Sequence, residues 1–309
     1  MMRPVNPPIV MLIPRADWMA REAAQHARVE RPVRAWLERR ARRQKHPVED
    51  FLFTYYNFPP SRLLQWVPAL GETLEVTAAD RAARPIWQQP PFVHEDGRLW
   101  ANAGLLTGKT RQLASWVTGL CAEMLRRPPM FRCFGLHEWA MVYRQTAEEV
   151  RHQGVALRLP PGELARFVES QALCCTHYDA FRFFTQEAAP RNAFSPTLES
   201  RQQMEQAGCL HANMDLYKWC AKLWPWVGSE LITDAFDLAL AGRILDMRAS
   251  PYDLADLGCP PIRIETPEGR EEYEAAQRAL AGSARLLRQK LQLAGSRIAR
   301  ADGASPAAQ

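Results

Sequence analysis

From Lys109 to the C-terminus, apolar residues recur every three or four positions, and prolines and glycines cut this pattern into lengths that suit single helices. Such a chain must bury helix stripes against one another, because too little of it alternates with the two-residue period of strands. The signals predict helices over residues 110–126, closed by Pro128 and Pro129, and over 136–153, stopped at Gly154. A long helix follows Pro161 and Gly162, with Leu164, Phe167, Val168, Gln171, Cys174, Tyr178 and Phe181 on one stripe. Further helices are expected over residues 197–206, 210–224 and 229–247. The last starts at Thr266–Pro267 and docks through Tyr273, Ala276, Leu280, Ala284, Leu287 and Leu291.

The N-terminal third reads differently. Asp17 can cap a helix over residues 18–30 that Pro32 interrupts, and a second helix carries a basic block over 31–45. Residues 71–104, with Pro85, Pro90 and Pro91, are loop-like, and any strand falls around residues 73–76. The expected fold is mainly α: a multi-helix single domain with a proline-rich, loop-like insert and at most minor β. Its parts are an N-terminal helical arm (1–45), a helical catalytic domain (46–300) and a disordered tail (301–309).

Hydrophobic residues at 47% and charged residues at 24% are ordinary for a globular chain, with enough apolar material for a sizeable core. The opening PVNPPIVMLIP is too short and proline-broken for a signal peptide or a membrane span, which favours the cytoplasm. The cysteines number seven, an odd count, without C-x-x-C spacing, and are expected to be reduced and mostly structural.

The net charge of +5 is concentrated: Arg31, Arg34, Arg39, Arg40, Arg42, Arg43 and Lys45 face a single acid, Glu38, within residues 31–45. Such a block can hold phosphates by releasing counterions, making Arg39, Arg40, Arg42 and Arg43 candidate nucleic-acid contacts; a solvated helix face has the same composition.

Five segments concentrate groups that are costly to bury unless paired or used: HPVEDFLFTYY, LHEWAMVYR, THYDAFRFF, CLHANMDLYKW and LDMRASPYDL. Four of the seven histidines lie in them, each within four residues of an acid. Imidazole beside carboxylate suits acid–base work or metal ligation. In one reading His137, Glu138, His177, Asp179, His211 and Asp215 converge between helices and hold iron, manganese or zinc, as in helical-bundle oxidases and hydrolases, although the usual Glu-x-x-His pair is missing. In another, a carboxylate such as Asp215, Asp179 or Glu138 acts alone. Tyr55, Tyr56, Trp139, Tyr143, Tyr178, Tyr217, Lys218 and Trp219 then bind a planar substrate. In a third, His211–Asp215 and Asp215–Lys218 are plain intrahelical pairs and the aromatics are core. The string GLLTGKT at 104–110 is not a phosphate loop, since position 103 is alanine and no clear strand precedes it.

In this order, and over most of the chain from His46 to Tyr273, the five segments resemble a bacterial, largely actinobacterial family labelled 3-methyladenine DNA glycosylase. The resemblance implies an N-glycosylase that removes alkylated purines from DNA, needs no cofactor, and flips the base into an aromatic pocket. The chain departs from the leucine-proline-glycine hairpin of helical glycosylases, reading Leu159-Pro160-Pro161-Gly162-Glu163 instead. The resemblance carries no catalytic position over, so the candidate residues rest on their chemistry. A non-catalytic nucleic-acid-binding protein using residues 31–45 is the remaining expectation.

Overall fold

A computed structural model describes residues 11–146, 149–150 and 154–301. The fold is mainly α, as expected, with a small sheet. In chain order the strands are β1 (Met11–Ile13), β2 (Glu72–Glu75), β3 (Phe92–Glu95) and β4 (Arg98–Ala101). The helices are α1 (Arg15–Ala41), α2 (Phe51–Tyr55), α3 (Pro60–Leu63), α4 (Ala78–Ala82), α5 (Gly108–Arg126), α6 (Leu136–Ala140), α7 (Pro161–Glu169), α8 (Tyr178–Phe181), α9 (Arg201–Met204), α10 (Leu210–Leu223), α11 (Gly228–Ala249) and α12 (Pro267–Arg300). The chain divides into two compact units: Met1–Cys121 with Tyr217–Phe236 and Gln289–Gln309, and Ala122–Leu216 with Asp237–Arg288. No helix among the described residues is long and apolar enough to cross a membrane.

The first unit holds the sheet, in the order β1-β2-β4-β3, with β1 parallel to β2 and the other pairs antiparallel. The strand expected around residues 73–76 is β2. The segment read as loop also contains the hairpin β3–β4, closed by Asp96 and Gly97, both at positive φ. An Asp-Gly pair with that backbone matches the right-handed twist of the flanking strands and is a strong hairpin signal. Helix α1 runs unbroken through Pro32, against the expected interruption. The proline removes one backbone donor, but Trp18, Gln25, Val29, Val33 and Trp36 are buried on both sides of it. The Trp18 indole also donates to the Glu75 carbonyl at 2.7 Å. Continuous burial outweighs one lost hydrogen bond.

In the second unit three expected helices are much shorter. Helix α6 ends at Ala140 and gives way to turns, with Arg144 at φ 55°; residues 147–148 and 151–153 of the expected helix lie outside the described ones, as does 302–309 of the expected tail. Helix α7 stops at Glu169, because the chain beyond it pairs with a neighbouring segment. Leu173 bridges Asn192, whose side chain accepts from the Cys175 N–H at 2.7 Å and donates to the Cys175 carbonyl at 2.8 Å. In the third, Thr197 and Ser200 exchange side-chain to backbone hydrogen bonds, a turn that delays α9 to Arg201. Helices α7 and α9 thus lost their length to side-chain hydrogen bonds that periodicity does not register.

Two close approaches set the frame of this unit. Gly242 of α11 lies against α10, where an added Cβ would stand 2.7 Å from Met214 Cγ. Gly135 opens α6 at φ 73°, where a Cβ would stand 3.0 Å from Ala249 Cβ. The Trp139 indole donates to the Ala249 carbonyl at 2.9 Å, tying α6 to the end of α11.

Candidate active site

Five short stretches of the second unit each present polar side chains inward. His137 and Glu138 stand in the first turn of α6, His177 precedes α8, and Arg201 and Glu205 bracket α9. His211 and Asp215 lie one turn apart on α10, and Arg243 and Asp246 lie three apart near the end of α11. The side chains of His137, His177, Arg201, Glu205, Asp215, Arg243 and Asp246 are all buried. Charge on this scale inside a protein must be paired.

The pairing falls into two adjoining sets. In the first, His137 Nε2 lies 2.6 Å from Asp246 Oδ1, and Cys133 Sγ lies 3.3 Å from His137 Nδ1. A carboxylate only accepts, so Nε2 carries a proton, and Nδ1 is the atom that shares a proton with the thiol. Arg243 reaches Asp246 Oδ2 at 3.2 Å and Glu138 Oε1 at 3.3 Å. In the second set Arg201 holds Asp215 at 2.8 Å, Glu205 at 2.6 Å and Asp179 at 3.3 Å, while His177 Nε2 stands 3.1 Å from Asp215. His211 joins the sets: its ring centre is 4.4 Å from that of His137 and 5.7 Å from that of His177. His177 Nδ1 and Glu205 Oε2 have no partner among the described residues.

The electrostatics follow from burial. Burial by itself disfavours a charged His137, but Asp246 and then Cys133 outweigh it, so the ring's proton affinity rises well above the usual imidazole value. Burial likewise opposes a charged Asp246, yet His137 holds its carboxyl below the usual range. His211 goes the other way: burial, then the charge on His137, push it down to about 3, so it is neutral at pH 7.

A narrow cavity of about 10 Å³, room for about one water molecule, opens beside the first set. Its wall includes His137 and His211 together with Cys133, Cys174, Cys175 and Cys209. Tyr273 and Gln277 of α12 complete it. Cys133 and Cys174 are partly exposed, whereas Cys175 and Cys209 are buried. Burial raises the thiol of Cys174, and more strongly those of Cys175 and Cys209, and does the same to the Tyr273 phenol. Tyr273 Oη and Gln277 Oε1 have no partner among the described residues.

The six candidate acids and histidines therefore sit together in one unit, with Glu138 reached through Arg243. The eight candidates for binding a planar substrate divide between the two units. Tyr55, Tyr56, Tyr217, Lys218 and Trp219 belong to the first unit. There Tyr56 packs edge-on against Tyr217 at 5.5 Å, Tyr55 stacks on Phe51, and Lys218 lies over the Trp219 ring. Trp139 and Tyr143 are buried and committed, Trp139 to Ala249 and Tyr143 to Glu169 at 2.7 Å. Tyr178 is half-buried at the start of α8. Of the basic block, Arg39 is held by Glu49 and Asp50, and Arg40 lies over the Trp36 ring; Arg42 and Arg43 are exposed.

Sequence reasoning missed Cys133, Arg201, Glu205, Arg243, Asp246 and Tyr273. Arg243 and Asp246 are three apart on α11, a spacing that marks a shared helix face. Nothing in the sequence joins Cys133 to Asp246. Among the described residues, two groups could hold a cation, His137, His211 and Asp246, and His177, Asp179 and Asp215; within each group one donor atom per residue lies within 4.8 Å of the others. In comparison with known proteins, no family model matches the chain, and neither a curated protein nor a solved structure matches it.

Proposed function

We propose that the second unit is a thiol-dependent catalytic unit, with Cys133 as nucleophile, His137 as its base and Asp246 as the group that orients and charges the base. One observation carries the reading: the continuous pair of contacts from Cys133 Sγ to His137 Nδ1 at 3.3 Å and from His137 Nε2 to Asp246 Oδ1 at 2.6 Å. Nucleophile, base and orienting carboxylate in that sequence are the parts of nucleophilic catalysis, recognised by geometry rather than chain order. Cys133 is partly exposed at a cavity, so it is reachable, while the His137–Asp246 pair behind it is buried. The cavity's size limits the electrophile to a small molecule or the narrow end of a larger one. Iodoacetamide tests the assignment in the full-length protein. Cys133 should be alkylated first and His137→Asn should slow it; equal rates for Cys133 and Cys174 in both proteins would overturn it.

A metal-dependent reading is favoured by the donor grouping of His137, His211 and Asp246. It uses the same imidazole and carboxylate, so the two readings exclude each other. Elemental analysis of protein purified without added metal decides: stoichiometric iron, manganese or zinc, lost in His211→Ala, supports the metal centre and removes the triad.

Base excision, which the family resemblance implies, is supported by the exposed Arg42 and Arg43 at the end of α1. In that reading Asp215 stabilises the charge left on the sugar. Release of free base by the parent, lost in Asp215→Asn, is its test. It ranks below the thiol reading because Arg201 and His177 already occupy Asp215.

A further inference from the structure

We propose that hydrogen peroxide is a substrate of this cavity, oxidising Cys133 to a sulfenic acid that Cys174 then resolves as a disulfide. The inference rests on Cys133 being the activated thiol. It goes further by naming the electrophile and giving a second cysteine a role.

Four observations point to this chemistry. The cavity, about 10 Å³, matches a molecule scarcely larger than water. Its wall carries a buried hydroxyl, Tyr273 Oη, and a buried amide oxygen, Gln277 Oε1, neither with a partner among the described residues. Peroxide both donates and accepts hydrogen bonds, so it can use the two together. Cys133 Sγ faces His137 Nδ1 at 3.3 Å, giving the thiol proton a destination. Lastly, four of the seven cysteines line this one cavity, and of these Cys133 and Cys174 are partly exposed while Cys175 and Cys209 are buried. A resolving thiol must be able to approach, and Cys174 is the one placed to do so.

The steps balance. The Cys133 proton passes to His137 and the sulfur attacks one peroxide oxygen. An S–O bond forms, the O–O bond breaks, and the departing hydroxide takes the proton from His137 and leaves as water. Sulfur has lost two electrons and peroxide has gained them. The Cys174 sulfur then attacks the Cys133 sulfur; an S–S bond forms, the S–O bond breaks, and hydroxide leaves as water with the Cys174 proton. A small dithiol such as dithiothreitol returns both thiols.

The test treats the reduced, full-length protein with hydrogen peroxide, traps sulfenic acid with dimedone, and locates products by peptide mass spectrometry. The expected result is a Cys133–Cys174 disulfide in the parent and a dimedone adduct on Cys133 in Cys174→Ser. Cys133 should oxidise at least about tenfold faster than free cysteine at pH 7, the scale of advantage an activated thiol holds over an ordinary one. Cys133→Ser should show neither product while melting near the parent temperature. Rapid alkylation of Cys133 by iodoacetamide without faster oxidation overturns the peroxide assignment and leaves the thiol nucleophile standing. Slow alkylation and slow oxidation overturn both. A disulfide to Cys175 or Cys209, or an adduct with no disulfide in the parent, overturns the role of Cys174.

Discussion

His137 Nε2 and Asp246 Oδ1 stand 2.6 Å apart in the interior of the second unit, with 3% and none of their side-chain surfaces exposed. The pair joins α6 to α11, and the thiol of Cys133 lies at the far side of the same ring. Asp246→Asn should keep the shape and lose the charge. Removing one partner of a buried pair costs about 3 kcal/mol or more, so the melting temperature should fall. Alkylation of Cys133 should slow by at least about tenfold, since the base loses the group that orients it. Unchanged alkylation in a folded variant would show that Asp246 serves stability alone.

Gly135 is where backbone geometry meets the site. Its φ of 73° lies where side chains are strained, and a Cβ would come within 3.0 Å of Ala249. Gly135→Ala should destabilise the protein by about 1–2 kcal/mol, measured by urea denaturation. Because α6 begins there, Cys133 alkylation should slow as well. The same substitution at Gly258, also at positive φ but with open space around it, should carry only the strain.

The first unit supplies a pH prediction. Arg15, then the Thr77 backbone and hydroxyl, hold Asp80 well below the usual carboxylate range even though its burial works the other way. A carboxyl held low in the folded state stabilises it above the unfolded value of about 3.9, and that stability drains away as pH falls toward the folded value. Asp80→Asn should therefore lower the melting temperature at pH 6 more than at pH 3. A difference that stayed constant across this range would mean the Asp80 charge plays no part. Arg15 is 47% exposed, so salt should shrink the effect.

The end of α1 offers a separate test. Arg40, Arg42 and Arg43 are exposed, whereas Arg39 is committed to Glu49 and Asp50. If this end binds DNA, changing Arg40, Arg42 and Arg43 together to Gln should weaken binding to all sequences alike. The slope of log affinity against log salt should drop by about 0.9 per lost phosphate contact. Arg39→Gln should instead lower stability. No salt-dependent binding by the parent would make the block a solvated face.

Much of the long-helix framework was legible in the sequence. Helices α5, α10, α11 and α12 fall within a few residues of their expected bounds, because long apolar stripes with cap residues specify a helix locally. The shorter elements were not legible in the same way. Asn192 fastens Cys175, and Thr197 and Ser200 close on each other, so single side chains ended helices that the apolar spacing alone would have continued.

By itself the sequence determined the helical class and the bounds of the long helices, and it pointed to His137, His177, His211 and Asp215 but not to Glu205 or Asp246, since it registers only residues within a few turns of one another. Only the tertiary structure decided which of them meet. Cys133 and His137 lie beside each other on the chain, but Asp246 is 109 residues beyond His137. Cys174 and Cys175 come to the same cavity from one loop and Cys209 from another. A hydrogen bond forms over about 3 Å, and pairings at that distance between remote residues are set by how helices pack, which periodicity does not encode.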